Sequence, residues 1–163
     1  MKLFKVAAVA ALVVISGSAM ADRNDFRPSQ SGAELKIYQD GAHHVVNSVQ
    51  TGADGSLVDI NQTHYNNFAN VQQSAKDSNI WLDQDGVKNT ADIKQPGGFG
   101  SDTDVTQKGN YNAVNVNQNA IRSDITISQR GNSHYANVVQ TDNYASASVT
   151  QRGYNNFVNA AQY

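Results

Sequence analysis

The 163-residue chain contains no cysteine, so no disulfide can hold it together, even though its amino terminus reads as an export signal into an oxidising compartment. Leucine is scarce, phenylalanine occurs five times and tryptophan once, while Asn, Gln, Ser, Thr and Gly dominate. Such a composition cannot build a large oily core, which leaves either disorder or a repeat architecture held by its backbone. Lysine and arginine never cluster. They stand singly among aspartates, and a phosphate-tracking surface for nucleic acid is excluded on that ground. Beyond the amino terminus, no apolar run approaches the roughly 20 residues that a membrane helix needs.

The terminus itself has the layout of a cleavable signal peptide over residues 1–21. Lys2 and Lys5 precede an apolar run from Val6 to Ile15, and small residues follow up to Ala19-Met20-Ala21. Removal of this leader takes two of the 12 basic residues and none of the 14 acidic ones, so the balance moves from −2 to −4. A short polar arm, residues 22–32, comes next.

The remainder is periodic. Gln39, Gln62, Gln84, Gln107, Gln129 and Gln151 recur at intervals of 22 or 23 residues, and each is followed eleven positions later by another glutamine, at Gln50, Gln73, Gln95, Gln118, Gln140 and Gln162. Other residues keep the same phase. Glycine stands two after the first glutamine at Gly41, Gly86, Gly109, Gly131 and Gly153, with His64 as the exception; asparagine stands five after it at Asn67, Asn89, Asn112 and Asn156, with His44 and His134 substituting. Serine precedes the glutamine by six at Ser56, Ser78, Ser101 and Ser123, with Ala33 and Ala145 in the outer units. Six units result: 33–50, 56–73, 78–95, 101–118, 123–140 and 145–162.

Within a unit the apolar residues alternate with polar ones, as in Val58 and Ile60, Ile125 and Ile127, Val114 and Val116; Val46 with Ser48 is a poorer version. Period two predicts strands with one buried face. Glycine reaches positive φ at no steric cost and asparagine tolerates it, which predicts a reversal of about four residues between the paired glutamines. One such strand pair cannot bury its inner face, but six stacked at about 4.8 Å can. The expected fold is all-β: a β-solenoid of six strand-turn-strand repeats in cross-β stacking. The inner rows should read Ser, apolar, apolar, Gln and Asn, small, apolar, Gln. Glutamines stacked in register satisfy one another's donors and acceptors, whereas stacked like charges repel, which accounts for fixed slots for amides and none for charges.

No segment has the look of a cap at either end, so the expectation is head-to-tail stacking of one molecule on another into an open filament. The unit Ser-x5-Gln-x-Gly-x4-Asn-x5-Gln, traced loosely in Ser78 to Gln95, resembles the curlin repeat. The leader Met1-Lys2-Leu3-Phe4-Lys5 and the terminal Ala161-Gln162-Tyr163 are similar to those of major curlins, so the resemblance spans the leader and residues 33–163. It implies a structural subunit of extracellular curli-type amyloid fibres at the cell surface, serving adhesion and the biofilm matrix. It also implies passage through the periplasm and an outer-membrane secretion pore with accessory proteins, polymerisation with itself, and a nucleating minor curlin as partner. Host matrix proteins are candidate ligands.

Seeding response in the family lies in the end repeats, which here places it on Gln39 and His44 and on Gln151 and Asn156. His44 departs from the pattern, as do the six repeats and the short arm. In the inner repeats Asp59, Asp83, Asp85, Asp102 and Asp104 are candidates to restrain premature assembly, although plain solubility accounts for them equally well. Two other readings stand beside this one: the nucleating curli subunit, against which the regular last repeat speaks, and a monomeric β-solenoid adhesin or binding module.

Four histidines, His43, His44, His64 and His134, invite a metal reading. All four fall in or beside turns, in slots that other units fill with glycine or asparagine, and no ligand spacing surrounds them. No cofactor is expected. A narrow solenoid offers no concave site for convergent catalytic groups, so no enzyme is expected either. Pro96-Gly97-Gly98-Phe99-Gly100 reads as a single longer turn, Trp81 as pointing outward, and Tyr65, Phe68, Tyr111, Tyr135, Tyr154 and Phe157 as covers for the strand corners.

Overall fold

The computed structural model describes the backbone of Ala11–Gly17 and Asn24–Phe26 and, from residue 32 to residue 163, the side chains as well. The leader's lysines and its Ala19-Met20-Ala21 site lie outside the described residues, as does most of the polar arm. Ala11–Gly17 (β1) and Asn24–Phe26 (β2) are followed by twelve strands that fall into six rungs. The rungs are β3 (Glu34–Ala42) with β4 (His44–Gln50), β5 (Leu57–Tyr65) with β6 (Phe68–Gln73), and β7 (Asn79–Val87) with β8 (Thr90–Phe99). After them come β9 (Asp102–Asn110) with β10 (Ala113–Ile121), β11 (Asp124–Asn132) with β12 (Tyr135–Gln140), and β13 (Ser146–Tyr154) with β14 (Phe157–Gln162).

Two sheets follow from this order. One runs β4-β6-β8-β10-β12-β14 and the other β3-β5-β7-β9-β11-β13, and within these runs every pairing is parallel. The register is that of the repeat: Gln62 pairs with Gln39 and with Gln84, Gln118 with Gln140. This is a β-solenoid, all-β, with about 22 residues per turn.

The alternation appears directly in burial. Along β5, Val58, Ile60 and Gln62 are buried while Leu57, Asp59 and Asn61 are half-buried. The inner faces of both sheets meet in one column of Leu35, Ile37, Val58, Ile60, Ile80, Leu82, Ala91, Ile93, Val105, Val116, Ile125, Ile127 and their neighbours. Small residues on one sheet oppose larger ones on the other, as Ala69, Ala91 and Ala136 do, so the two sheets approach closely with few methylenes per rung. A core this thin depends on its polar rows being satisfied.

Three details differ from the sequence expectation. First, the corner between the paired strands is not made by positive φ at the asparagine slot. The left-handed residue is the one before it, filled by His43, Asn66, Lys88, Tyr111, Ser133 and Asn155 with φ between 54° and 60°. Asn67, Asn89 and Asn112 instead turn inward and are fully buried. Side-chain identity is free at the left-handed position because it is exposed, and fixed at the inward one because its amide is needed there.

Second, the glycine slot serves close approach as well as conformation. At Gly86, φ is 133°, and a Cβ would collide with the carbonyl oxygen of Gly109 in the next rung. Third, the segment from Pro96 to Phe99 is no free turn. It prolongs β8 and, past a bulge, pairs Gly97, Gly98 and Phe99 with Asn119, Ala120 and Ile121.

The ends also differ from expectation. β1 lies antiparallel along β4, pairing Ala11 to Gly17 with Gln50 to His44, and β2 lies antiparallel along Leu35–Ile37 of β3. Both sides of the first rung therefore carry a covering strand. Pattern could not show it, because neither segment shares the repeat's periodicity. Among the described residues nothing covers the last rung, and β14 alternates between exposed and half-buried along its whole length.

Candidate functional site

Each glutamine slot forms a continuous ladder. On one side Gln39 Nε2 donates to Gln62 Oε1 at 2.8 Å, and the series continues through Gln84, Gln107, Gln129 and Gln151 at 2.7 to 3.0 Å. On the other, Gln50, Gln73, Gln95, Gln118, Gln140 and Gln162 are joined in the same direction at 2.7 to 3.0 Å. An amide has two N–H groups, and the second one crosses to the other strand of the solenoid wall. Gln84 Nε2 also donates to the Phe68 carbonyl at 3.1 Å, Gln107 to that of Thr90 at 3.1 Å, and Gln73 to that of Ser78 at 2.7 Å. Apart from Gln39 and Gln140, which make the ladder bonds alone, each glutamine thus joins rung to rung and sheet to sheet. Stacking alone was legible in the spacing; the clip between sheets was not, because it depends on where the chain bends.

Those carbonyl partners fix the orientation of the amides that have them, since a carbonyl can only accept, and the ladder bonds carry the same orientation to Gln39 and Gln140. Nitrogen therefore points along the ladder toward the C-terminal rungs and oxygen toward the N-terminal ones. The ladder has polarity. Among the described residues nothing donates to the Oε1 of Gln39 or Gln50, while Gln151 and Gln162 retain an N–H beyond those they give to the Tyr135 and Ser146 carbonyls.

The asparagine row is a second ladder of different geometry. Asn67 Nδ2 donates to the carbonyls of Thr63 (2.7 Å) and Gly86 (3.1 Å), and its Oδ1 accepts the backbone N–H of Asn89 at 2.9 Å. Asn89 and Asn112 repeat the two inter-rung bonds, donating to the Gly109 and Gly131 carbonyls and accepting the next rung's backbone N–H. His44 and His134 reproduce it with an imidazole. His44 Nδ1 accepts the N–H of Asn67 at 3.3 Å, and its Nε2 lies 3.2 Å from the Asp40 carbonyl; His134 does the same with Asn156 at 3.2 Å and Arg130 at 3.1 Å. These partners require the neutral ring protonated on Nε2. Burial drives the His44 pKa below its ordinary value of 6.5, with His64 and His43 adding to the shift against the opposing pull of Asp40 and its carbonyl. Asn156, in the last rung, is half-buried, and its amide donates to the Arg152 carbonyl at 2.7 Å.

The serine row closes the opposite corner. Ser56 Oγ donates to the Ala75 carbonyl at 2.8 Å and accepts the Ser78 N–H at 3.0 Å, and Ser78, Ser101 and Ser123 pass the arrangement on. Outside the inner rows, Asp83 and Asp104 lie on neighbouring strands of one outer face. Burial, followed by the Asp83 charge, raises the Asp104 carboxyl above its ordinary range. His64 sits 2.8 Å from Asp85, and Tyr135 and Phe157 stack at 5.2 Å on the outside of the other sheet. Trp81 faces outward. Among the described residues no group of three or more His, Cys, Asp or Glu side chains could hold a metal ion.

The class defined by this geometry is a parallel β-solenoid of in-register repeats whose inner polar rows are ladders with one exposed end. The curlin associated repeat matches residues 77–109 and 122–153, two stretches that span the third and fifth units whole and nearly all of the leading strands of the fourth and sixth. Two stretches of the chain thus carry the curlin associated repeat, and that repeat is the building unit of curli-type structural subunits and not of an enzyme family. No curated protein matches the chain.

Proposed function

We propose that the protein is the major structural subunit of an extracellular curli-type amyloid fibre and polymerises head to tail, rung upon rung, for adhesion and matrix building. The observation that carries this is the polarity of the glutamine ladders. A donor end at Gln151 and Gln162 meets an acceptor end at Gln39 and Gln50 only when the C-terminal rung of one copy stacks on the N-terminal rung of the next. Like ends would set donor against donor. The same step would place an Asn47 amide over Asn159, whose Oδ1 already accepts from Asn137 at 2.7 Å.

In this reading the leader, residues 1–21, is removed on export and β1 goes with it, baring β4; incoming β13 then displaces the three-residue β2. Periplasmic transit, the outer-membrane pore with its accessory proteins, a nucleating minor curlin and host matrix ligands complete the proposed setting. No catalysis is assigned to the chain. The outer rungs carry seeding, through Gln39 and His44 at one end and Gln151 and Asn156 at the other, and Asp59, Asp83, Asp85, Asp102 and Asp104 hold the outer face against lateral pairing.

A second reading, a monomeric solenoid module, is favoured by the two antiparallel strands over the first rung. The experiment that separates them follows the chain from Asp22 onward in solution. Fibre growth after a lag, faster with seeds, a meridional reflection near 4.7 to 4.8 Å, and slowing by Gln151→Ala with Gln162→Ala support the polymer. A β-rich monomer that stays monodisperse for days at micromolar concentration supports the module and overturns it.

A further inference from the structure

One outer row breaks the rule that charges keep no fixed slot. Directly after the first glutamine of each unit, Asp40, Thr63, Asp85, Lys108, Arg130 and Arg152 stand above one another in register on the outside of one sheet. The row is acidic toward the first rung and basic toward the last. Lys108, Arg130 and Arg152 are neighbours of one sign at adjacent rungs, an arrangement that weakens a sheet. Lys108 finds Asp83 at 3.7 Å, while Arg130 and Arg152 have no ion pair among the described residues, and neither has Asp40. Asp40, Arg130 and Arg152 are all exposed.

The rest of the surface leans the same way. From residue 33 to residue 100 there are eight carboxylates and four cations, and from 101 to 163 four of each. The solenoid is thus an electrical dipole along its stacking axis.

From this row we infer that the terminal rungs form a charge-selective joint between two copies of this chain, in which Arg152 of one copy pairs with Asp40 of the next. The inference rests on the head-to-tail reading and adds to it what selects that polarity during encounter. Continuing the register by one rung sets residue 151 over 39, 152 over 40 and 153 over 41. Arg152 then lies between a like charge below and an opposite charge above, so the joint relieves part of the repulsion that the basic run stores at the open end. β2 covers only Leu35 to Ile37, leaving the backbone beside Asp40 uncovered by it. Gly153, whose position a Cβ would enter without touching anything, provides the clearance for the Gly41 carbonyl that Gly86 provides for that of Gly109. Contact between two N-terminal ends, or between two C-terminal ends, brings charges of one sign together, and steering of this kind acts mainly on the association rate.

The test uses seeded elongation of the chain from Asp22 onward at low ionic strength, each variant on seeds of its own sequence. Arg152→Asp and Asp40→Arg should each slow elongation by roughly threefold to tenfold, the scale of turning one exposed attraction into a repulsion. The double variant should return to within about twofold of the parent, Arg152→Lys should stay near it, and Arg130→Asp, inside the same row, should not slow growth. All of these differences should shrink at about 0.5 M salt, where the screening length falls to a few Å. Arg152→Asp growing at the parental rate at low salt, or a double variant as slow as the singles, overturns the joint and leaves head-to-tail stacking intact. Failure of the unaltered chain to extend its own seeds overturns the stacking reading and the joint with it.

Discussion

The third rung and the sixth use the same slots and end in different environments. In β7 and β8, Ile80, Gln84, Ala91, Ile93 and Gln95 are completely buried; in β13 and β14, Ala147 and Val149 keep 9% and 7% of their surface, and Val158, Ala160 and Gln162 are half-exposed. Both keep the alternation and the paired glutamines, with Ala145, Ala147 and Val149 where the third unit has Ser78, Ile80 and Leu82. The difference is one neighbour: the third rung has a rung on each side, the sixth has one. Burial in this fold is therefore a property of stacking, and the last rung's slots are completed only by something that continues the register.

The largest effect that can break this comparison is at the ladder. Gln84→Ala leaves Gln62 Nε2 without its acceptor and Gln107 Oε1 without its donor, both buried, and removes the bond to Phe68. It should cost about 2 to 4 kcal/mol in guanidinium unfolding of the dilute solenoid. Gln162→Ala, which loses one ladder bond and an exposed bond to the Ser146 carbonyl and has solvent on its other side, should cost under about 1 kcal/mol there. In assembled fibres the two costs should converge, since Gln162 then has a rung above it. A gap that persists in the fibre would mean the last rung remains open.

A smaller effect contrasts two hydroxyls in apolar rows. Ser48 Oγ is buried with no hydrogen-bond partner, whereas Thr103 Oγ1 donates to Gln118 Oε1 at 2.8 Å and accepts from Gln95 Nε2 at 3.2 Å. Val71 occupies the slot beneath Ser48 in the next rung. Ser48→Val should raise stability by about 1 kcal/mol, and Thr103→Val should lower it by a similar or smaller amount. Equal signs for the two, in paired denaturation curves, would show that the orphaned hydroxyl carries no cost.

The smallest effect is in pH. Because burial lowers the His44 pKa from 6.5, the unfolded chain binds more protons than the folded one just below that value. The ring's stabilising contribution is full above about 6.5 and drains away as pH falls through the folded value, where protonation of Nδ1 ejects the Asn67 N–H. The unfolding midpoint should fall on acidification below pH about 6.5, and His44→Asn, which restores the slot's usual amide, should flatten that part of the profile. An unchanged slope in His44→Asn would assign the pH dependence elsewhere.

How much of this was legible follows from what repeats. Fixed positions for Gln39 through Gln162, Ser56, Asn67 and their counterparts disclose the strands, the inward faces and the stacking, because every rung solves the same packing problem and period two admits one burial pattern. The left-handed corner residues were not legible: Lys88, Tyr111 and Ser133 share no chemistry, being chosen by exposure alone. The sheet-to-sheet clip that ten of the glutamines make was hidden too, since its acceptor is a backbone carbonyl that any residue supplies. So was the covering of the first rung by β1 and β2, whose antiparallel pairing uses backbone groups and leaves no mark in the repeat.

The sequence by itself determined the number of rungs, the registry of amides and the absence of a large apolar core, for these are matters of spacing and composition. Only the tertiary structure decided direction: which way the ladders donate, and which rung is covered. Spacing is a scalar and survives in one dimension, whereas the orientation of an amide is fixed by a carbonyl brought beside it by the bend of the chain.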